Sequence, residues 1–181
     1  MLKTLLTRAQ TAMRSLYFAV RYAGDRIRID PTCYVSHRSV IRVCGGGSIT
    51  IGRNCEVHDF AMILTYGGNI VIGDNSSVNP FSIVYGHGGT RIGNGVRIAA
   101  HTVIIPANHV SGDETRPLHQ AGITAIGIDI RDHVWLGAGC RILDGVTIGR
   151  HAVVGAGSVV TRSIPDYGTV VGVPARMINT T

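Results

Sequence analysis

The sequence predicts an all-β protein coiled into a solenoid, and three observations carry that prediction. Aliphatic residues recur every six positions. Small residues recur at a fixed offset behind them. Glycine, at 24 of 181 residues, is well above its usual share of about 7% and follows no collagen period. Many tight turns account for such glycine use.

The lattice is plainest between Ile130 and Val160, where Ile130, Leu136, Ile142, Ile148, Val154 and Val160 follow one another at intervals of six. Ile51, Val57 and Ile63 keep the same spacing, as do Ile72, Val78 and Val84, then Ile92, Ile98 and Ile104. Four places behind these positions stand mostly small residues: Cys55, Ala61, Ser76, Ser82, Val96, Thr102, Val134, Cys140, Val146, Ala152 and Ser158. A period of about 3.6 would give a helix and a period of 2 a plain strand. A period of six with glycine-rich breaks gives a short strand, a bend and another short strand, so three units close a triangular coil. Stacked coils bury a continuous core that no single coil could bury. Small residues fit the corners, which is why three Phe and one Trp suffice.

The breaks in the lattice are informative. Ile51 to Ile72 and Ile72 to Ile92 are coils with small insertions near Gly67-Gly68 and Gly88-Gly89. After Ile104 the next lattice position is Ile130, so a loop of about 106–125 is inserted. Loops of that length inside a domain are functional or disordered. Ile29, Val35 and Ile41 fit one earlier coil, giving a solenoid domain over 29–164. Residues 1–28 form an N-terminal extension in which Leu2, Leu5, Leu6, Ala9, Met13, Leu16, Tyr17 and Val20 share one helical face. Such a helix caps the first coil or packs on a neighbouring subunit; its basic face also suits an anionic membrane surface, a peripheral contact through residues 1–20. Residues 165–181 leave the lattice after Ile164-Pro165 and form a C-terminal cap.

The net charge of +6 is localised. Residues 1–42 hold eight basic residues (Lys3, Arg8, Arg14, Arg21, Arg26, Arg28, Arg38, Arg42) against Asp25 and Asp30; the remainder is balanced at nine against nine. The solenoid is therefore no basic platform for nucleic acid. Cys33, Cys44, Cys55 and Cys140 form no CxxC pair and read as small hydrophobes in a reducing compartment. No secretory pattern and no apolar run of about 18 residues is present. A cytoplasmic location, with the inner membrane face as a variant, is the expectation.

The segment IRDHVWLGAGCRILDGVTIGRHAVVGAGSVVTRSIPDYGTVVGVPARMI over residues 130–178 closely resembles the C-terminal half of hexapeptide-repeat acyltransferases. Within them it is most similar to sugar O-acetyltransferases of the maltose, galactoside and nodulation-factor type. The loop IIPANHVSGDETRPLHQAGITAIG resembles that of capsule and exopolysaccharide acetyltransferases. The resemblance implies a left-handed parallel β-helix, a homotrimer with active sites between subunits, and acetyl-CoA as donor substrate without a metal. Handedness comes from the resemblance alone, since crossovers are otherwise right-handed.

Acetyl transfer from a thioester to a hydroxyl needs a base, because the proton must leave as the C–O bond forms. A neutral histidine suits that task near pH 7. Eight histidines compete. The resemblance assigns the catalytic role to His109, in ANHV at the head of the long insertion. His101 lies within the lattice at a corner and reads as structural. His87, in YGHGG, is a candidate for lining the acceptor pocket, and His119 lies in the inserted loop. His37, His58, His133 and His151 read as solvated corners.

By the same resemblance Asn79, in VNPFS, faces the acceptor; its plain reading is a turn residue before Pro80. Trp135 lies beside the cleft, or simply covers the coil. Asp113, Glu114 and Arg116 are candidate acceptor contacts. Coenzyme A is expected along the groove between two solenoids, against Ala138, Ala156, Thr161, Arg162 and Arg176, with the two arginines meeting phosphates. The N-terminal segment of the maltose and galactoside enzymes and the helical domain of serine acetyltransferases are not recognisable. Their absence turns the expected acceptor toward a sugar of a surface polysaccharide or its precursor. Three further readings stay open: N-acetylation of an amino sugar, a γ-type carbonic anhydrase, and a non-catalytic scaffold.

Overall fold

A computed structural model describes residues 13–14, 16–24, 26–111 and 117–180. The chain winds as a left-handed parallel β-helix with three flat faces. Face one stacks Ile27–Ile29, Ile49–Ile51, Ile70–Ile72, Thr90–Ile92, Ile128–Ile130 and Thr147–Ile148. Face two stacks Tyr34–Val35, Glu56–Val57, Ser77–Val78, Arg97–Ile98, Trp135–Leu136, Val153–Val154 and Gly168–Val171. Face three stacks Val40–Arg42, Met62–Leu64, Ile83–Tyr85, Val103–Ile105, Arg141–Leu143 and Val159–Val160. Every pairing within these stacks is parallel.

The six-residue lattice is the interior. All fifteen aliphatics from Ile51 to Val160 named above are at most 2% exposed. The register sets like upon like. Ile29, Ile51, Ile72, Ile92, Ile130 and Ile148 form one column. Ile41, Ile63, Val84, Ile104, Ile142 and Val160 form another. Parallel strands buried between coils take such β-branched residues well.

The small residues occupy the corners, and several satisfy the backbone there. The Cys33, Cys55 and Cys140 thiols donate to the carbonyls of Gly52, Gly73 and Gly155 in the following coil. Ser76, Ser82 and Thr102 hydroxyls donate to Gly93, Ala99 and Gly137 carbonyls in the same way. Three of the four cysteines are buried, and Cys44 is half-buried. A buried corner carbonyl left without a donor would cost about 1–3 kcal/mol, so the short polar side chain is the better occupant.

Outside the same corners, residues in the left-handed backbone region form ladders. Phe60, Phe81 and His101 have φ of 60°, 61° and 60°. Their rings stack at centroid distances of 5.0 Å. His133, His151 and Tyr167 repeat the device at the corner between faces one and two, at 4.8 and 5.1 Å. A left-handed conformation costs a non-glycine residue about 1–2 kcal/mol, and a stacked ring pair returns about 0.5–1.5 kcal/mol. The two are of one size, so the ladder offsets its own backbone strain. His101, His133 and His151 are thus exposed corner residues with ring partners.

At the N-terminal end, residues 13–14 and 16–21 are helical. Phe18 and Tyr22 turn inward and join the core. At the other end Gly168–Val171 continues face two, and Arg176–Thr180 returns antiparallel to it. The Val173–Pro174 peptide between them is cis.

Candidate active site

The corner between faces three and one differs from the other two. Its turns carry the glycine-rich insertions, with Gly45–Gly47, Gly67-Gly68 and Gly88-Gly89 on successive coils. The long insertion leaves the solenoid at the same corner. It is an antiparallel arm in which Asn108–His109 pairs with Ile123–Thr124, with a short helical turn over Leu118–Gln120 between the two strands. His109 stands opposite Ile123 and is exposed.

The arm is fastened at its root. The Asp144 carboxylate accepts the Ile126 N–H at 2.9 and 3.0 Å and the Gly127 N–H at 2.8 Å. Gly88 donates to the Pro106 carbonyl, and Ile128 donates to the Gly89 carbonyl at 2.9 Å. Gly88 has to be glycine: a Cβ there would lie 2.6 Å from the Ala125 backbone. Outgoing and returning chain are both tied to one coil turn, so the Asn108–His109 strand starts from a fixed base.

His87 sits on that turn, half-buried among aromatic rings. Its ring stacks on Tyr66 at 5.0 Å and meets Tyr85 edge-on at 5.7 Å. Nδ1 of His87 is buried and has no hydrogen-bond partner among the described residues. Burial pushes the His87 imidazole below the ordinary histidine range, Asp144 opposes this, and the nearby His109 adds to it. Tyr85 is held above the usual phenol range by burial and by Tyr66.

The other candidate positions are distributed along the solenoid. Asn79 lies at the corner between faces two and three, with the Ile83–Tyr85 strand separating it from His87. Its Nδ2 donates to the Ile98 carbonyl of the following coil at 2.8 Å. Ala138 and Ala156 are exposed at the same corner two and three coils further on, joined by the Gly157 N–H to the Ala138 carbonyl. Thr161 and Arg162 follow the last strand of face three and are exposed. Arg176 opens the returning strand, beside Ala175, whose N–H donates to Val159. Trp135 is exposed on the outside of face two, between Arg97 and Val153. Asp113, Glu114 and Arg116 lie outside the described residues, as do Leu2, Leu5, Leu6 and Ala9.

One chain thus gathers His87, Tyr66, Tyr85 and Asp144 about the root of the arm that bears His109. It leaves Asn79, Ala138 and Ala156 at another corner. Tyr66, Tyr85 and Asp144 were not singled out from the sequence, although Tyr66 and His87 occupy matching turns one coil apart. A concavity of about 700 Å³ lies between Phe18, Tyr22 and face one, lined as far as Asp74. A second, of about 440 Å³, abuts the arm root along Gly88–Arg91 and Ile126–Asp129. Among the described residues no three His, Cys, Asp or Glu side chains converge as metal ligands.

Residues 127–162 match the family model described as bacterial transferase hexapeptide (six repeats). Over 87 residues the chain is 38% identical to the galactoside O-acetyltransferase of Escherichia coli K12, covering 48% of this chain and 42% of that protein. The chain spans about two fifths of the length of several curated relatives it matches, including a putative acetyltransferase of Schizosaccharomyces pombe at 41% identity. Two solved structures extend the likeness across the solenoid. One is the maltose O-acetyltransferase from Clostridium difficile 630, 31% identical, with 79% of this chain and 70% of that one covered and a TM-score of 0.55. The other is AntD, an N-acyltransferase from Bacillus cereus in complex with dTDP and 3-hydroxybutyryl-CoA, 27% identical, with 89% and 86% covered and a TM-score of 0.74. The chain belongs to the hexapeptide-repeat acyltransferase family.

Proposed function

We propose that this protein is an acetyl-CoA-dependent O-acetyltransferase acting on a sugar hydroxyl of a surface polysaccharide or its precursor, with His109 as general base. The observation that carries the reading is the fixed arm, which bears Asn108–His109 on a root tied to the His87–Gly89 turn at the one large break in the lattice. The named activities of the galactoside and maltose enzymes support the acyl donor and the sugar class.

In this mechanism an imidazole nitrogen of His109 takes the acceptor's hydroxyl proton as that oxygen attacks the thioester carbonyl. The tetrahedral intermediate collapses with cleavage of the C–S bond. The proton on His109 passes to the departing thiolate, so the products are the acetyl ester and coenzyme A. His109, an exposed imidazole on a fixed strand, is suited to taking and returning that proton. Burial disfavours the charged form of His87, and its half-buried ring lines the acceptor side of the arm root.

Asn79, Arg116 and Trp135 complete the acceptor side. Ala138, Ala156, Thr161, Arg162 and Arg176 hold coenzyme A, the arginines at its phosphates. Asn79, Ala138 and Ala156 lie at one corner of face three, while the arm leaves at the other, so a homotrimer that sets the arm of one subunit against the Asn79 corner of the next unites them. Thiols that donate to corner carbonyls act only when reduced, which supports a cytoplasmic site of action.

A second reading, N-acylation of an amino sugar carried on a nucleotide, is favoured by the likeness to AntD over 89% of the chain. A screen of acceptors by thiol release, with the acyl position assigned by NMR, separates the two. An ester on a sugar oxygen is the expected product. An amide would establish the second reading, and no thiol release with any sugar would overturn both.

A further inference from the structure

The helix at the N-terminal end buries only one side. Phe18 and Tyr22 point into the solenoid and are 8% and 7% exposed. Met13, Leu16, Tyr17 and Val20 are 67%, 66%, 45% and 71% exposed. At roughly 100° per residue these four fall within one arc of about 100°, on the side away from the Phe18–Tyr22 seam. Arg14 and Arg21, both exposed, fall together along one edge of that arc. Arg26 and Arg28, also exposed, follow where the chain enters face one. In the sequence the same apolar spacing continues through Ala9, Leu6, Leu5 and Leu2, which lie outside the described residues.

We infer that this helix is a docking device for an anionic lipid surface, which it meets with Met13, Leu16, Tyr17 and Val20 while Arg14 and Arg21 lie at the headgroup level. Two features single out that occupant. The first is charge: the excess of +6 resides wholly within residues 1–42, and the other 139 residues are balanced. A protein partner with an ordinary mixed surface gives no reason for such segregation, whereas an anionic leaflet attracts clustered Arg and Lys. The second is the split of the helix into a seam that anchors and a stripe that does not. Such a helix lies in the plane of the interface with its apolar side submerged by several ångström and its cations at the edge. No helix of the described residues is long and apolar enough to cross a membrane, so the contact is peripheral. The arm with His109 leaves the solenoid after Val103–Ile105, three coils beyond the one that follows the helix.

Flotation of the full chain with vesicles tests this independently of the proposed reaction. The vesicles are phosphatidylcholine alone or phosphatidylcholine with phosphatidylglycerol. The chain is expected to float with the anionic vesicles, to release as salt rises, and to remain below with neutral ones. Leu16→Glu with Val20→Glu, both exposed positions, should cut the floating fraction about tenfold or more while thermal unfolding stays unchanged. Arg14→Glu with Arg21→Glu should abolish the preference for anionic vesicles. Absence of flotation at low salt, or undiminished flotation of the Leu16→Glu, Val20→Glu protein, would overturn the inference. So would a loss of assembly mass in that variant without any vesicle binding by the parent, which would assign the stripe to a second copy. Acetyl transfer to a soluble acceptor should be the same in all of these proteins.

Discussion

His87 and His109 carry the same side chain in different surroundings, and the difference sets what each can do with a proton. His109 is on an exposed strand. His87 is walled by Tyr66 and Tyr85, and burial, with His109 adding to it, depresses its pKa against the pull of Asp144. An unfolded chain protonates this ring near the ordinary value of about 6.5, before the folded one does. Stability is therefore full above that value and is lost as pH falls through it toward the lower folded value. Replacing His87 with Gln should reduce the fall in unfolding temperature between about pH 8 and about pH 5.5. Thermal melts of both proteins across that range check it, and parallel curves would contradict the assignment.

The arm is the element on which the proposed chemistry depends, and its root is held by few bonds. Asp144 alone receives the N–H groups of Ile126 and Gly127. Asp144→Ala should lower turnover by about 10²-fold through misplacement of His109, while the parallel core unfolds at nearly the parental temperature. Gly88→Ala should act in the same direction, because its Cβ would press on Ala125. If the Asp144 variant kept parental turnover, the arm would not need this clamp. The strands themselves obey a different logic. Ile142 is fully buried between Ile104 and Val160 in its column. Ile142→Ala should cost about 2–5 kcal/mol, measured by denaturant unfolding, with no direct effect on the arm.

At the scale of the molecule, the interior was legible because burial imposes a period. A side chain that must face the axis once per face repeats every six residues, and the fifteen lattice aliphatics all do so. The ladders were legible only in part. Phe60, Phe81 and His101 keep a spacing of about one coil, but a single exposed corner position does not announce the ring above it. The arm strands, two residues each, are too short to show alternation. Asp144 was invisible because its partners are backbone N–H groups, which every sequence has. Handedness was likewise beyond the residue pattern and came with the family resemblance. The proposed assembly would unite Asn79, Ala138 and Ala156 with His109, which lies at another corner of the single chain. Light scattering or native mass spectrometry should give three times the 19.2 kDa chain mass, and dilution that breaks the trimer should abolish transfer.

The central claim is that His109 removes a proton from a sugar acceptor while coenzyme A is held elsewhere. The most direct measurement is the turnover of His109→Ala with acetyl-CoA and a sugar acceptor, made beside calorimetric binding of acetyl-CoA to the same protein. Turnover should fall by about 10²–10⁴-fold with donor affinity and trimer mass unchanged. Parental turnover in the variant would contradict the account.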